Sequence, residues 1–160
     1  MARLSDLRLT YQLFMKAYPY RRVDWKPGAQ LAKPLNKASI AVVTTAAFYG
    51  PNQLAFDTSI RGGDWSSRAI FLETDLSTLA IAHRSDAFDT SGIEADKNLA
   101  LPLDRLKSLA AAGTIGAVAP RHFSFMGSIA APGRLIAESA PAVAQALIED
   151  AVDAVLLTPV

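Results

Sequence analysis

The stretch from Ser39 to Thr45, S-I-A-V-V-T-T, constrains this chain more than any other. Its short apolar centre is rich in β-branched residues and runs through two threonines toward Gly50 and Pro51, a pattern that suits a strand buried on both faces. In an open α/β sheet such a strand delivers its carboxyl end to the ligand crevice. The loop beyond it concentrates polar side chains: Thr44, Thr45, Asn52, Asp57 and the run Gly62-Gly63-Asp64-Trp65-Ser66-Ser67-Arg68. The carboxyl edge of the sheet is the expected functional face.

Before that strand, Leu4, Leu7, Tyr11, Phe14, Met15 and Tyr18 recur at helical spacing and predict an amphipathic helix that stops before Pro19. From Tyr20 to Lys37 the chain carries Pro27, Gly28 and Pro34 and little periodicity, so an irregular wrap is expected, with Trp25 packed on the domain. After Arg68, Ala69 to Thr74 predicts a short strand, and Leu79 to Arg84 either continues it or forms another, with His83 near its end. The polar segment Arg84 to Leu101, with Asp86, Asp89, Asp96, Lys97 and Asn98, predicts a long surface loop.

Pro102 to Ala112 predicts a helix with Leu103, Leu106 and Leu109 or Ala110 on one face and Gly113 in the left-handed cap position. Ile115 to Ala119 predicts a small strand leading into Pro120-Arg121-His122-Phe123-Ser124-Phe125-Met126-Gly127. Ser139 to Asp150 predicts another helix, with Ser139 as N-cap, Pro141 in the first turn and Val143, Ala146 and Leu147 facing inward. Ala154 to Leu157 predicts a second fully buried strand. Strands alternating with helices imply an α/β fold: a Rossmann-like parallel sheet with flanking helices, preceded by the N-terminal helix. The 160 residues fit a single domain, with 1–37 as helix and wrap and 38–160 as core.

Sixteen basic residues against 15 acidic ones, scattered along the chain, give no nucleic-acid or polybasic membrane surface. No apolar run reaches the length of a membrane span or forms a signal-peptide core, so a cytoplasmic protein is expected. The absence of cysteine excludes disulfides, thiolate zinc sites and a thiol nucleophile within these residues. There is no G-x-G-x-x-G, no phosphate-binding G-K-[ST] loop and no G-x-S-x-G elbow. With His83 and His122 the only histidines, no metal is expected.

What remains is a constellation of Asp64, Arg68, His83, Asp89 and His122, all expected at strand ends or in the loops after them. A planar guanidinium at Arg68 suits a substrate carboxylate, and a histidine exchanges protons near neutral pH. The competing reading is structural: Asp64 and Arg68 pair to hold their own loop, and either histidine is a satisfied buried side chain. Phe123, Phe125 and Met126 fit core or pocket wall better than an aromatic platform.

A series of short motifs then carries a resemblance. Lys33-Pro34-Leu35, Ala41-Val42-Val43-Thr44-Thr45-Ala46, Phe56-Asp57 and Gly63-Asp64-x-Ser66-x-Arg68 come first. They are followed by His83, Asp89, Asp96-x-Asn98, Pro102-Leu103-Asp104-Arg105-Leu106, Gly113-x-Ile115-Gly116, His122-Phe123-Ser124-Phe125-Met126-Gly127 and Val152 to Pro159. In this order, from Tyr20 to Val160, the chain resembles the selenoprotein B subunits of the glycine/betaine/sarcosine/D-proline reductase family, and its size fits the small D-proline reductase type. One departure is Ala47, where the family often has glycine after the T-T-A run; a methyl group there restricts a left-handed backbone.

The resemblance implies reductive cleavage of a carbon–nitrogen bond in a small amino acid or betaine. It places a selenocysteine or cysteine redox motif directly after the final strand, hence immediately after Val160, and further C-terminal elements beyond. In family members that use a pyruvoyl group, a partner subunit is implied to carry it and to activate the substrate amine, and a thiol or thioredoxin-like donor is implied to supply electrons. Thr44, Thr45, Asp64, Ser66, Arg68, His83, Asp89, His122 and Ser124 are the expected substrate-binding or site-lining residues. The 160 residues alone are expected to be inactive, as a product ending at a UGA codon read as stop would be. An apolar edge at Ala154 to Val160 suggests a homodimer. Two alternatives stand beside this: a non-catalytic small-molecule-binding or interaction module on the same fold, and an amino-acid racemase-like enzyme, whose chemistry commonly uses cysteines that this chain lacks.

Overall fold

The structure is a computed structural model that describes residues 8–18, 28–83 and 89–160. The chain divides into two compact units, Met1–Gln30 and Leu31–Val160. In the first, α1 (Leu9–Ala17) ends at Tyr18, whose backbone is extended as expected of a residue before proline. The rings of Phe14 and Tyr18, four apart on one face, lie 5.6 Å from each other. Leu4, Leu7, the wrap as far as Pro27 with Trp25, and Arg84 to Asp86 lie outside the described residues.

The second unit is an α/β fold built on one mixed, mostly parallel sheet. Strand β1 (Ser39–Thr44) is its centre, buried along most of its length. On one flank it pairs in parallel with β5 (Ala117–Val118) at its start and with β6 (Arg121–Phe125) at its end. On the other flank it pairs in parallel with β7 (Ala154–Thr158). Strand β3 (Ser67–Phe71) adds to β6 antiparallel, so the sheet is not parallel throughout. Two-residue strands β2 (Phe48–Tyr49) and β4 (Ala80–Ile81) form a separate antiparallel pair, which makes Leu79 onward a strand distinct from β3.

Alternation along β1 sends its side chains into two apolar clusters. Ile40 and Val42 pack with Ile70, Leu101, Leu103 and Leu106, which brings α3 (Leu103–Ala111) onto that side. Ala41 packs with Phe123, Phe125, Val143 and Leu147, which brings α4 (Ala140–Glu149) onto the other. Pro102 precedes α3, and Gly113 follows it at φ +70°, the left-handed geometry the sequence requires of a glycine cap.

Four expectations need correction. The segment after Asp89 is not all loop: it holds α2 (Ser91–Ala95) and a 3-10 turn (Lys97–Leu99), because Ile93, Ala100 and Leu101 have a core to enter. Ser139 is not an N-cap, since its backbone is already helical within a π turn, Leu135–Ser139, that runs into α4. Strand β7 is an edge strand rather than a buried one, with Val155, Leu156 and Leu157 exposed because its only strand partner among the described residues is β1. Finally, His122 and Ser124 lie within β6, fully buried, rather than in a loop at a strand end.

Candidate functional site

The carboxyl edge of the sheet is assembled by the way the chain leaves β1. Ala47 turns it at φ +54°, a left-handed backbone for a residue with a Cβ, and its N–H donates to the Phe125 carbonyl at 2.9 Å. Strand β2 then pairs with β4, and the Ala82 N–H donates back to the Ala47 carbonyl at 3.1 Å. The residue that follows, His83, is thereby laid over the ends of β1 and β6. The contact needs a glycine beneath it: a Cβ at Gly127 would lie 2.6 Å from His83 Nε2, 3.2 Å from the Thr45 carbonyl oxygen and 3.3 Å from that of Val160. Thr45 also fixes the end of the chain beyond β7, its Oγ1 accepting from the Val160 N–H at 2.9 Å.

A cavity of about 320 Å³ opens at this edge. Phe125, Met126, Ile129, Leu135, Ala140 and Val160 supply apolar wall, with Thr45, Gly127 and Ser128 completing it. The π turn shapes one side. Leu135 and Ala140 are five residues apart, and the Ala140 N–H donates to the Leu135 carbonyl in the i to i−5 pattern, which brings the two nearer to one face than α geometry would. The Ser139 hydroxyl donates to the Trp65 carbonyl and ties this turn to the Gly62–Arg68 loop.

That loop is the second polar cluster. Asp64, 6% exposed, accepts from the Asp57 N–H, the Ser66 N–H and the Ser66 hydroxyl, and lies 3.8 Å from the Arg68 guanidinium. Burial opposes its ionisation, but the Ser66 hydroxyl, the two N–H groups and Arg68 outweigh this and hold its pKa below the usual carboxylate value. Arg68 donates to the carbonyls of Leu54, Ala55 and Ser67 and to the Ser66 hydroxyl, and its guanidinium stacks 4.2 Å over Phe56. With these bonds and the Asp64 contact, its five donors are directed into its own loop and the Leu54–Ala55 backbone before it. Gly62 and Gly63 pack against Ala131 and Ile129, and the Ala131 N–H donates to the Gly62 carbonyl at 3.0 Å, so the loop also props the segment that walls the cavity.

The remaining candidates sit inside the sheet or on the surface. His122 repairs a break in the β1 ladder. The Ala38 and Ile40 carbonyls accept from Ala117 and Ala119, and the next group on that flank, the Val42 N–H, donates 3.0 Å to His122 Nδ1. Nδ1 must be unprotonated to accept, so the proton of the neutral ring is on Nε2, which has no hydrogen-bond partner among the described residues. Burial, helped by repulsion from Lys107 and opposed weakly by the Ala119 carbonyl, pushes its pKa down to about 4. Ser124 Oγ accepts from the Phe48 N–H at 2.8 Å, and Thr44 Oγ1 accepts from Ala46 and donates to the Thr158 carbonyl. Asp89 is exposed and accepts from the Ser91 N–H at the start of α2.

The structure thus joins Thr45 and His83 with Gly127 and Val160 at the cavity edge, gathers Asp64, Ser66 and Arg68 into a loop cluster, and keeps Thr44, His122 and Ser124 as internal partners of backbone groups. Ile129, Leu135 and Ala140 carry no polar signature, and nothing in their local pattern marks them as cavity wall. Among the described residues, no three of His, Cys, Asp or Glu gather as metal ligands, and no helix is long and apolar enough to cross a membrane.

Comparison with known proteins sharpens this picture. Residues 6–160 match the family model described as glycine/sarcosine/betaine reductase selenoprotein B. The chain is 31% identical over 134 residues to D-proline reductase subunit gamma of Acetoanaerobium sticklandii, an alignment covering 84% of this chain and 52% of that protein. The chain therefore spans about half the length of the curated relative it matches. No solved structure matches.

Proposed function

Because this chain belongs to the glycine/sarcosine/betaine reductase selenoprotein B family, we propose that it forms the substrate-facing part of a cytoplasmic reductase subunit. The reaction is reductive cleavage of a carbon–nitrogen bond in a small amino acid or betaine. The observation that carries this reading is the convergence of the Thr45, His83, Gly127 and Val160 contacts at the edge of one cavity. In the proposal, the polypeptide that continues from Val160 holds the redox-active residue at that edge.

A selenolate or thiolate on the whole protein would supply the nucleophile, for an amino-acid substrate a pyruvoyl group on a partner subunit would activate the amine, and a thiol or thioredoxin-like donor would restore the reduced state. Overall, the C–N bond is replaced by C–H and N–H bonds with two electrons and two protons. The residues described here have the tasks around that chemistry. Thr45 fixes the backbone at Val160, His83 gives or takes a proton at the edge, and the apolar wall excludes water so that a charged nucleophile acts in a low-dielectric site. The loop cluster of Asp64, Ser66 and Arg68 keeps the wall segment in place. A second copy of the chain along the exposed flank of β7 completes the proposed assembly, which light scattering across concentration tests.

The deciding experiment reads the gene past codon 160 and assays the full-length protein with its partner subunit and a dithiol, following the new primary amine of ring-opened D-proline and amine release from glycine betaine. A selenocysteine or cysteine soon after Val160, together with product formation, is the expected result. A whole protein with no such residue overturns the reading. The formed cavity and the absence of cysteine from these 160 residues would then favour the binding module.

A further inference from the structure

The cavity at the carboxyl edge is selective in a way that its neighbours in sequence do not suggest. None of its nine lining residues carries a charged side chain. The nearby cations are engaged elsewhere: Arg68 is directed into its own loop and the Leu54–Ala55 backbone before it, and Arg134 forms a two-point ion pair with Glu138 while stacking 3.5 Å over Trp65. The two hydroxyl residues of the lining are Thr45, which is bonded to Val160, and Ser128, which is exposed. A carboxylate or ammonium placed against these walls would lose part of its hydration without gaining a counter-charge from any lining residue, and such a group is costly to desolvate.

We infer that this cavity takes the uncharged hydrocarbon part of its ligand, and that the ligand's charged groups are held outside it. Small residues set the width, since Ala140 and Gly127 leave room that a larger side chain would fill. The π turn adds selectivity for shape by presenting Leu135 and Ala140 together. As the substrate subsite of a reductase, this assignment rests on the function proposed above; as a binding preference, it stands without any redox step. In the reductase, the substrate carboxylate would then be held by the partner subunit or by the remainder of the protein.

The test uses the full-length protein and two probes of one shape, cyclopentanecarboxamide and cyclopentanecarboxylate, with binding measured by calorimetry. The amide is expected to bind at least about tenfold more tightly, the low end of the penalty for an unpaired buried polar or charged group. Ala140→Phe, which fills the cavity from α4, is expected to abolish amide binding. Ile129→Lys, which places a cation in the wall, is expected to reverse the preference. Equal binding, preference for the carboxylate, binding of neither probe, or amide binding that survives Ala140→Phe overturns the inference. If Ala140→Phe does not fold, the Ile129→Lys reversal decides alone. A protein that prefers the amide yet never cleaves a C–N bond keeps this inference and loses the proposed function. One that cleaves with an unchanged KM in Ala140→Phe does the opposite.

Discussion

The loop from Gly62 to Arg68 is dense in charged and hydroxyl side chains, whereas the cavity beyond Thr45 is lined almost wholly by apolar ones. In the loop, Asp64 and Arg68 bond to groups of the same loop and to backbone groups of Leu54, Ala55 and Asp57 that precede it. A buried irregular segment must satisfy its own backbone, and here charged side chains do so. Most of the cavity wall comes from strand ends and a helical segment whose backbones are already paired, and its irregular stretch from Gly127 to Ile129 is propped by the loop. Dense polar sequence can therefore mark where a loop must be held, while the proposed ligand site lies where side chains are small and apolar.

Removing Asp64 is the harshest way to test that division. Asp64→Ala deletes the acceptor of three hydrogen bonds and leaves the partly buried Arg68 without its carboxylate, so we expect a loss of about 3 to 4 kcal/mol in urea unfolding. If the loop only supports, Arg68→Lys lowers the unfolding midpoint while the folded protein keeps its affinity for the amide probe. Lost affinity at an unchanged midpoint would make the loop a ligand site and reverse the comparison.

Acid separates the interior of the sheet from the loop. The folded protein holds His122 neutral down to about pH 4, whereas the unfolded chain protonates it near its ordinary value of 6.5. Between those values the unfolded state binds more protons, so stability falls as pH drops through the window, by up to about 3 kcal/mol, and this contribution levels off below pH 4. The loop acts later. Asp64 is held below its usual 3.8, so its contribution is present above that value and is lost as pH falls through its folded pKa. His122→Asn, whose amide oxygen can still accept from Val42, is expected to flatten the pH 6.5 to 4 slope in unfolding experiments. A slope that persists in the variant would assign it to another group.

The history of His122 also shows why part of the structure escaped the sequence. Arg121 to Phe125 alternates like a strand, with Phe123 and Phe125 on one face. The polar members of that alternation look like site chemistry, because nothing local reveals that Val42 and Phe48 lack backbone acceptors that His122 and Ser124 replace. Strand β1, helix α3 with its proline and glycine, and helix α4 were legible because their signals are local. The exposure of β7 was not, since it depends on which strands lie beside it rather than on its own apolar residues. The π turn is invisible for the same reason: its i to i−5 bond is a choice made in packing, with no residue type that demands it.

At the cavity edge itself, Gly127→Ala tests close approach. The added methyl would come within 2.6 Å of His83 Nε2 and 3.2 Å of a backbone oxygen, and such overpacking is expected to cost about 2 kcal/mol. Replacing His83 by Ala in the same chain should recover about half of that cost, because the imidazole is the nearest obstacle while the carbonyls of Thr45 and Val160 remain. Equal costs in both backgrounds would show that the backbone, not His83, sets the limit there.

The smallest effect runs in the opposite direction. Ala47 is fully buried and left-handed at φ +54°, a conformation that glycine adopts without the clash between Cβ and carbonyl oxygen. Its N–H and carbonyl both take part in the bonds that lead the chain from β1 toward His83, so the turn is kept despite its strain. Ala47→Gly removes a buried methyl that packs with Phe56 and Met126, which costs stability, and relieves the left-handed backbone, which restores it. The second effect is expected to win only narrowly, for a net gain of about 0.5 kcal/mol. A rise in the urea midpoint with unchanged probe affinity would make Ala47 a strained hinge that the cavity tolerates. A fall would mean that packing against Phe56 and Met126, rather than backbone geometry, decides which residue this edge of the sheet prefers.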